Sequence, residues 1–445
     1  MKRLITTMFV CSCFFVLNNP LNAQNQQPTQ DKSEKIRIIT VEDAVNLAAE
    51  NNISLKSKQV SLKTLERRYK SSWNGVGPSA SVTGNVVVPL DGLVTDMKAK
   101  QDYTYGISAS ASLSLTPSLY TTIREAQLNY ENGELTYEDA VRQIELKVRK
   151  DFYNLIYNQE NIKLQKRNME TARLRYQSNL EKYNRGQLSE LDLLQSQYNY
   201  ESLRPQLESL EISYQNSLAV FKLNIGLPQN EEIELSGNLS DALPAASFTV
   251  SQSVEDLSSI KQLENNIAIK KNSLLATRFS AYGPTVGASY SWGLNGNDKT
   301  DELKKHSESH SLSFNVRIPL DGLIPWSNGV QNIVNQKASI KDLELQLQNE
   351  KTSAELTLQN SIKKITQMQN QIEMYDRNVE IARKAYDMTL AAYNHGSKDL
   401  YTLQNTANSL LKAETDRELQ RYNLICAVLE LENTLGLPFG SLGTE

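Results

Sequence analysis

The chain has 445 residues and a formal net charge of −4, with 22% charged and 39% hydrophobic side chains. Its Lys and Arg are interspersed with Asp and Glu, so no basic face of the kind nucleic-acid binding requires is present. The 3 histidines and 3 cysteines match no metal-ligand spacing, and no phosphate-cradling glycine loop, nucleophile elbow or His-Glu metalloprotease motif occurs. That argues against an enzyme, a bound metal and a cofactor.

Residues 1–23 read as a secretory signal peptide. Lys2 and Arg3 precede the apolar run Met8 to Leu17, and Leu21-Asn22-Ala23 supplies a small-residue cleavage pattern. A lipoprotein reading of Cys13 competes with this, but Phe14 to Leu17 carry the apolar run past it. Cleavage leaves Cys426 as the one thiol, within the helical run Leu424 to Leu431, where a buried inert cysteine is expected. Residues 24–39 are expected to be a flexible tail. No later stretch approaches 18 apolar residues, so any membrane crossing must be made by strands.

The first repeat is expected over residues 40–229. Thr40 and Asp43 open a helix in a capping-box pattern, with a break near Asn51-Asn52 and a stop at Gly75, Gly77 and Pro78. The period then changes to two. Ala80, Val82, Val86 and Val88 alternate with Ser79, Ser81, Thr83 and Asn85, which predicts a strand over about 79–90. A second strand follows over about 103–116, with Tyr105, Ile107, Leu113 and Leu115 opposite Ser108, Ser110, Ser112 and Ser114. Pro117 ends it. Helices rich in Leu, Glu, Lys, Gln and Arg are predicted over about 118–184 and 189–225, the first on the order of 100 Å long.

After a linker at 230–253, the second repeat spans 254–445. Helix to Phe279, strands over about 285–294 and 310–319, and helices over about 328–393 and 400–435 restate the same order. His306 and His310 fall in a loop and strand start, and as surface residues need no metal. The duplication is visible in detail: Tyr183-Asn184-Arg185-Gly186 recurs 210 positions later as Tyr393-Asn394-His395-Gly396, and Gly226-Leu227-Pro228 as Gly436-Leu437-Pro438. Each glycine suits a tight return that requires positive φ.

Strands of about 10 residues with one apolar face match transmembrane barrel strands. Four cannot close, and an open edge in lipid leaves backbone groups unpaired, so closure requires further copies: eight strands in a dimer or twelve in a trimer. Tyr103, Tyr105, Tyr290 and Trp292 fit an aromatic belt near the strand ends. Helices such as the one holding Leu343-Glu344-Leu345-Gln346-Leu347-Gln348 mix apolar and polar residues as water-exposed bundle helices do. A rival reading is a periplasmic coiled-coil structural or adaptor protein without a pore, though the strands are then left without a purpose.

Over nearly the whole chain after the leader, the pattern resembles the TolC family of outer-membrane efflux proteins. Thr40 to Asn52 is similar to that family's opening helix, Gly77-Pro78 and Gly283-Pro284 to its helix-to-strand junctions, and Gly226-Leu227-Pro228 to its repeat ending. The resemblance implies α-helices plus a transmembrane β-barrel. A homotrimer would form a twelve-stranded barrel in outer-membrane lipid and a long α-helical periplasmic tunnel, docked to a periplasmic adaptor protein and an inner-membrane pump for efflux or type I secretion.

It further implies that Asn184, Gly186, Gln187, Leu188 and Ser189 form one adaptor-contact strip at the periplasmic tip, and Gly396 with Ser397 the other. A constriction would lie beside Tyr393, Lys398, Asp399, Thr402 and Asn405. Some members place two aspartates where this chain has Thr402 and Asn405. The expected gate is therefore weakly cation-selective, with Asp399 as the remaining acidic group.

Overall fold

A computed structural model describes residues 37–87, 104–243, 255, 257–297 and 306–442. The expected leader at 1–23, Tyr103, most of the 24–39 tail and the ends of the predicted strands near 88–90 lie outside the described residues. Strand β1 (Arg37–Ile39) precedes helices α1 (Val41–Asn51) and α2 (Ile53–Ser71), then strands β2 (Ser79–Val87) and β3 (Thr104–Leu115). Helices α3 (Ser118–Asn184) and α4 (Glu190–Ile225), strand β4 (Ile233–Leu235) and helix α5 (Ser258–Tyr282) follow. Strands β5 (Thr285–Asn297) and β6 (His306–Arg317) lead into helices α6 (Asn328–Asn394) and α7 (Leu400–Leu435).

The internal duplication is exact in length: α3 and α6 each have 67 residues, and α4 and α7 each have 36. At 1.5 Å per residue the longer pair spans about 100 Å. All four end the same way, in a Schellman turn closed by a left-handed glycine: Gly186, Gly226, Gly396 and Gly436 have φ between 70° and 73°. The amide of the following residue reaches back to the helix, Gln187 to the Lys182 carbonyl and Ser397 to the Ala392 carbonyl, both at 2.9 Å. Pro205 stands inside α4 without ending it.

The helix break near Asn52 has a physical cause. Its side-chain oxygen caps α2 by accepting from the Ser54 and Leu55 amides at 2.9 and 3.2 Å, while its amide donates to the Asn224 carbonyl at 2.8 Å. The break thus pins α1 and α2 to the end of α4, against Gly226, where a Cβ would come within 2.4 Å of the Asn51 Cβ. Thr40 and Asp43 form the expected capping box.

The reading of residues 24–39 as a flexible tail needs correction at its end. Arg37–Ile39 pairs in parallel with Ile233–Leu235, inside the segment read as a linker. Ile39 is fully buried and joins a core of Ala44, Ala48, Val148, Phe152, Phe221, Ile225 and Leu235. This core belts the middle of the long helices. Arg149 crosses the same belt, donating to both Glu42 oxygens at 2.8 and 3.0 Å and to Glu145 at 2.9 Å.

The remaining strands form one antiparallel sheet in the order β2-β3-β5-β6. Successive strands alternate in direction. Strand β5 reaches Asn297 and β6 begins at His306, so both extend beyond the predicted 285–294 and 310–319 at that end, while Ile318 and Pro319 lie past the strand. His306 is therefore a strand residue, and Tyr290 and Trp292 sit mid-strand rather than near an end. Tyr105 does lie near a strand end, with its ring over Gly296 on the neighbouring strand.

Candidate functional site

Two features carry function: the two-faced sheet and the paired helical turns at the opposite end. The register aligns Ala80, Ala111, Tyr290 and Leu312 on one sheet face, with Val82, Val86, Ile107, Val286, Phe314 and Val316 above and below. Val82 and Phe314 are each 76% exposed, in a largely apolar surface interrupted towards one end of β6 by His310 and Glu308. The other face is built from serine. Ser81, Ser110, Ser291 and Ser311 form one cross-strand row, and Ser79, Ser112, Ser289 and Ser313 the next. Within these rows Ser79–Ser112, Ser81–Ser110 and Ser291–Ser311 hydroxyls are 2.9, 3.0 and 2.7 Å apart.

An apolar face and a polar face on the same four strands are what a barrel wall between lipid and water requires. The edges are β2 and β6, which run in opposite directions, so β6 of one copy can pair antiparallel with β2 of the next. Repeating the unit extends the same meander until it closes, and closure removes both edges. Among the described residues no helix is long and apolar enough to cross a membrane.

At the far end, α3 and α4 meet in one turn and α6 and α7 in the other. Asn184 ends α3 and Gly186 turns the chain. Leu188 is half-buried, and Ser189 caps α4, accepting from the Asp192 amide at 3.2 Å. In the second turn Ser397 donates through its hydroxyl to the Ala392 carbonyl at 2.9 Å. Asp399 is the repeat mate of Ser189 and does the same work: its carboxylate accepts from the Thr402 amide at 2.7 Å. Hydrogen bonds from Thr402 hold that carboxyl below its ordinary value, with Lys398 contributing a smaller charge effect. Asp399 is therefore a helix cap that also carries exposed charge.

Thr402 is half-buried and Asn405 exposed on α7, while Leu400 and Leu403 on the other side are buried. The surface at these two positions is neutral. Tyr393 is drawn elsewhere. Its hydroxyl donates to the Asn179 side-chain oxygen on α3 at 3.0 Å, and the Lys182 ammonium lies 5.4 Å from its ring centre. Asn179 itself is 1% exposed.

Further along, Arg175 donates to the Tyr386 hydroxyl at 3.2 Å, Arg383 binds Glu414, and Arg167 approaches Glu414 at 4.0 Å. The Arg175 and Arg167 contacts latch the second hairpin to the first within one chain, while Arg383 ties α6 to α7 inside the second. Sequence reasoning missed Asn179, Lys182 and Glu414. The one available signal is that the repeat mate of Asn179 is Thr389, a difference between copies where they touch.

The sequence model for the family described as outer membrane efflux protein matches residues 44–227 and 276–437. No curated protein matches the chain by sequence. Among solved structures, the Campylobacter jejuni CmeC outer membrane channel is 17% identical with a TM-score of 0.71, covering 89% of this chain and 85% of that one. The outer membrane protein VceC of Vibrio cholerae is 12% identical with a TM-score of 0.69, covering 90% and 96%. The open state of the Neisseria gonorrhoeae MtrE outer membrane channel is 15% identical with a TM-score of 0.67, covering 89% of each.

Proposed function

This chain belongs to the outer membrane efflux protein family, an outer-membrane channel with a large periplasmic helical part, and from that premise we propose how it works. Three copies close a twelve-stranded barrel and a twelve-helix tunnel, exported by the leader at residues 1–23. The homotrimer is a passive exit duct: no bond is made or broken, and an energised inner-membrane pump delivers cargo through a periplasmic adaptor. The observation that carries this reading is the sheet whose faces suit lipid on one side and water on the other. A pore-free periplasmic protein has no use for such a sheet.

The trimer is further supported by an unpartnered seam on α6. Met374, Ile381 and Met388, spaced seven apart, are 62%, 65% and 75% exposed, as a heptad stripe facing a neighbouring copy would be in a lone chain. The turn of Asn184, Gly186, Gln187, Leu188 and Ser189, with Gly396 and Ser397, is the proposed adaptor contact. Leu188 lends it an apolar anchor.

The gate is proposed to lie at the second turn, with Thr402 and Asn405 facing the passage and Asp399 at its rim. Opening swings α6 and α7 away from α3, which breaks the Tyr393–Asn179 bond. Removing one net hydrogen bond of about 1 kcal/mol shifts an open-closed equilibrium about five-fold per protomer. In planar bilayers the purified full chain is expected to form discrete low-conductance channels, and Tyr393→Phe to raise the open fraction at least that much. Absence of any channel from the wild-type protein would sink the duct reading. Unchanged gating in the variant would sink the latch.

A further inference from the structure

We propose that Arg317 sets an anion preference in the barrel, opposing the weak cation selectivity expected at the Asp399 rim, as a ring of three guanidinium groups at the barrel base that favours cargo bearing a carboxylate, sulfonate or phosphate group. The inference rests on the trimeric channel proposed above.

Alternation along β6 puts Arg317 on the serine face, two residues below Asn315 and opposite Thr285. Strands β3, β5 and β6 meet the helices at Leu115, Thr285 and Arg317, so Arg317 lies at the tunnel end of the barrel. Among the described residues of β2, β3, β5 and β6, it is the single charged residue on that face. Across the closing seam, β2 of the next copy offers this face Ser79, Ser81, Thr83 and Asn85, none of which can neutralise a cation. Arg317 is exposed.

The outward face shows the contrast. Its Glu308 accepts from the Trp292 indole at 2.7 Å and lies 3.4 Å from the His310 ring, so the charge turned towards lipid has partners. The inward guanidinium is left to water. A fixed cation that keeps its water costs no desolvation, and repeated around a bore it raises the local concentration of anions. Its planar donor fork suits oxyanions better than a lysine would.

The test is the reversal potential of full-length channels in planar bilayers under a KCl gradient. Three unit charges acting within about one Debye length give a selectivity effect of about two-fold or more at 0.1 M salt, fading near 1 M. Arg317→Gln is therefore expected to lower the chloride-to-potassium permeability ratio at least about two-fold, Arg317→Glu to lower it further, and Arg317→Lys to keep it. Glutamine and glutamate variants that migrate as trimers yet keep the wild-type reversal potential would overturn the proposal. Should those variants fail to assemble, the Asp399→Asn channel decides, because asparagine keeps the helix cap and removes the acidic rim charge. Its anion preference must weaken from about 0.1 M to about 1 M salt, and a salt-independent ratio overturns the ring. Wild-type protein that forms no channels would instead remove the duct itself, a distinct result.

Discussion

Leu312→Arg is expected to abolish assembly into the outer membrane, while Ser311→Arg, one residue away, leaves assembled trimers. Leu312 sits at mid-height on β6 between Tyr290 and the closing seam, on the face that meets lipid. An arginine near the bilayer midplane costs roughly 2–4 kcal/mol per copy. A trimer incurs this three times, about 6–12 kcal/mol in all, comparable with the whole stability of a domain. Ser311 points into water, where a long cationic side chain extends freely at the cost of a narrower bore. Membrane fractionation with gel migration of unheated samples reads both. Equal loss in the two variants would mean that the faces have been assigned wrongly.

Phe152→Ala is expected to cost about 3–5 kcal/mol by leaving a cavity that the belt cannot fill. Phe152 is 1% exposed, packs with Phe221 at a centroid distance of 6.3 Å, and lies against Gly237. It joins α3 to α4 and to the loop after β4, so its loss loosens the middle of the tunnel while the barrel and tip turns keep their own contacts. The expected readout is protease cleavage near the β1–β4 pair and a lower temperature of trimer dissociation. A variant with wild-type protease resistance would show that the belt core is not what holds the long helices together.

How much of this was legible in the sequence depended on the range of the interactions. The long helices and their turns were open to reading because local signals define them: periodicity, a left-handed glycine, and a repeat offset that α3 and α6 obey residue for residue. The strands were visible through alternation, but their outer ends were not. Gly293, Asn295 and Gly296 look like breakers. In the sheet they continue β5, since a Cβ at Gly293 would crowd Ser309 and one at Gly296 would strike the Tyr105 ring.

Strands β1 and β4 have three residues each and exist because of a partner 196 positions away, which no window of sequence reveals. The tip divides the same way. Its glycines and caps are local, and Asp399 could have been recognised as a cap from its mate Ser189. The Asn179–Tyr393 latch depends on how two hairpins lie together, and a change from Asn179 to Thr389 between repeats gives no hint of its partner.

The central claim is that several copies close one barrel, and the mass of the detergent-solubilised full-length protein tests it most directly. The account predicts a particle of three chains, stable without cross-linking. A monodisperse monomer would contradict it, because a lone chain leaves β2 and β6 unpaired in lipid.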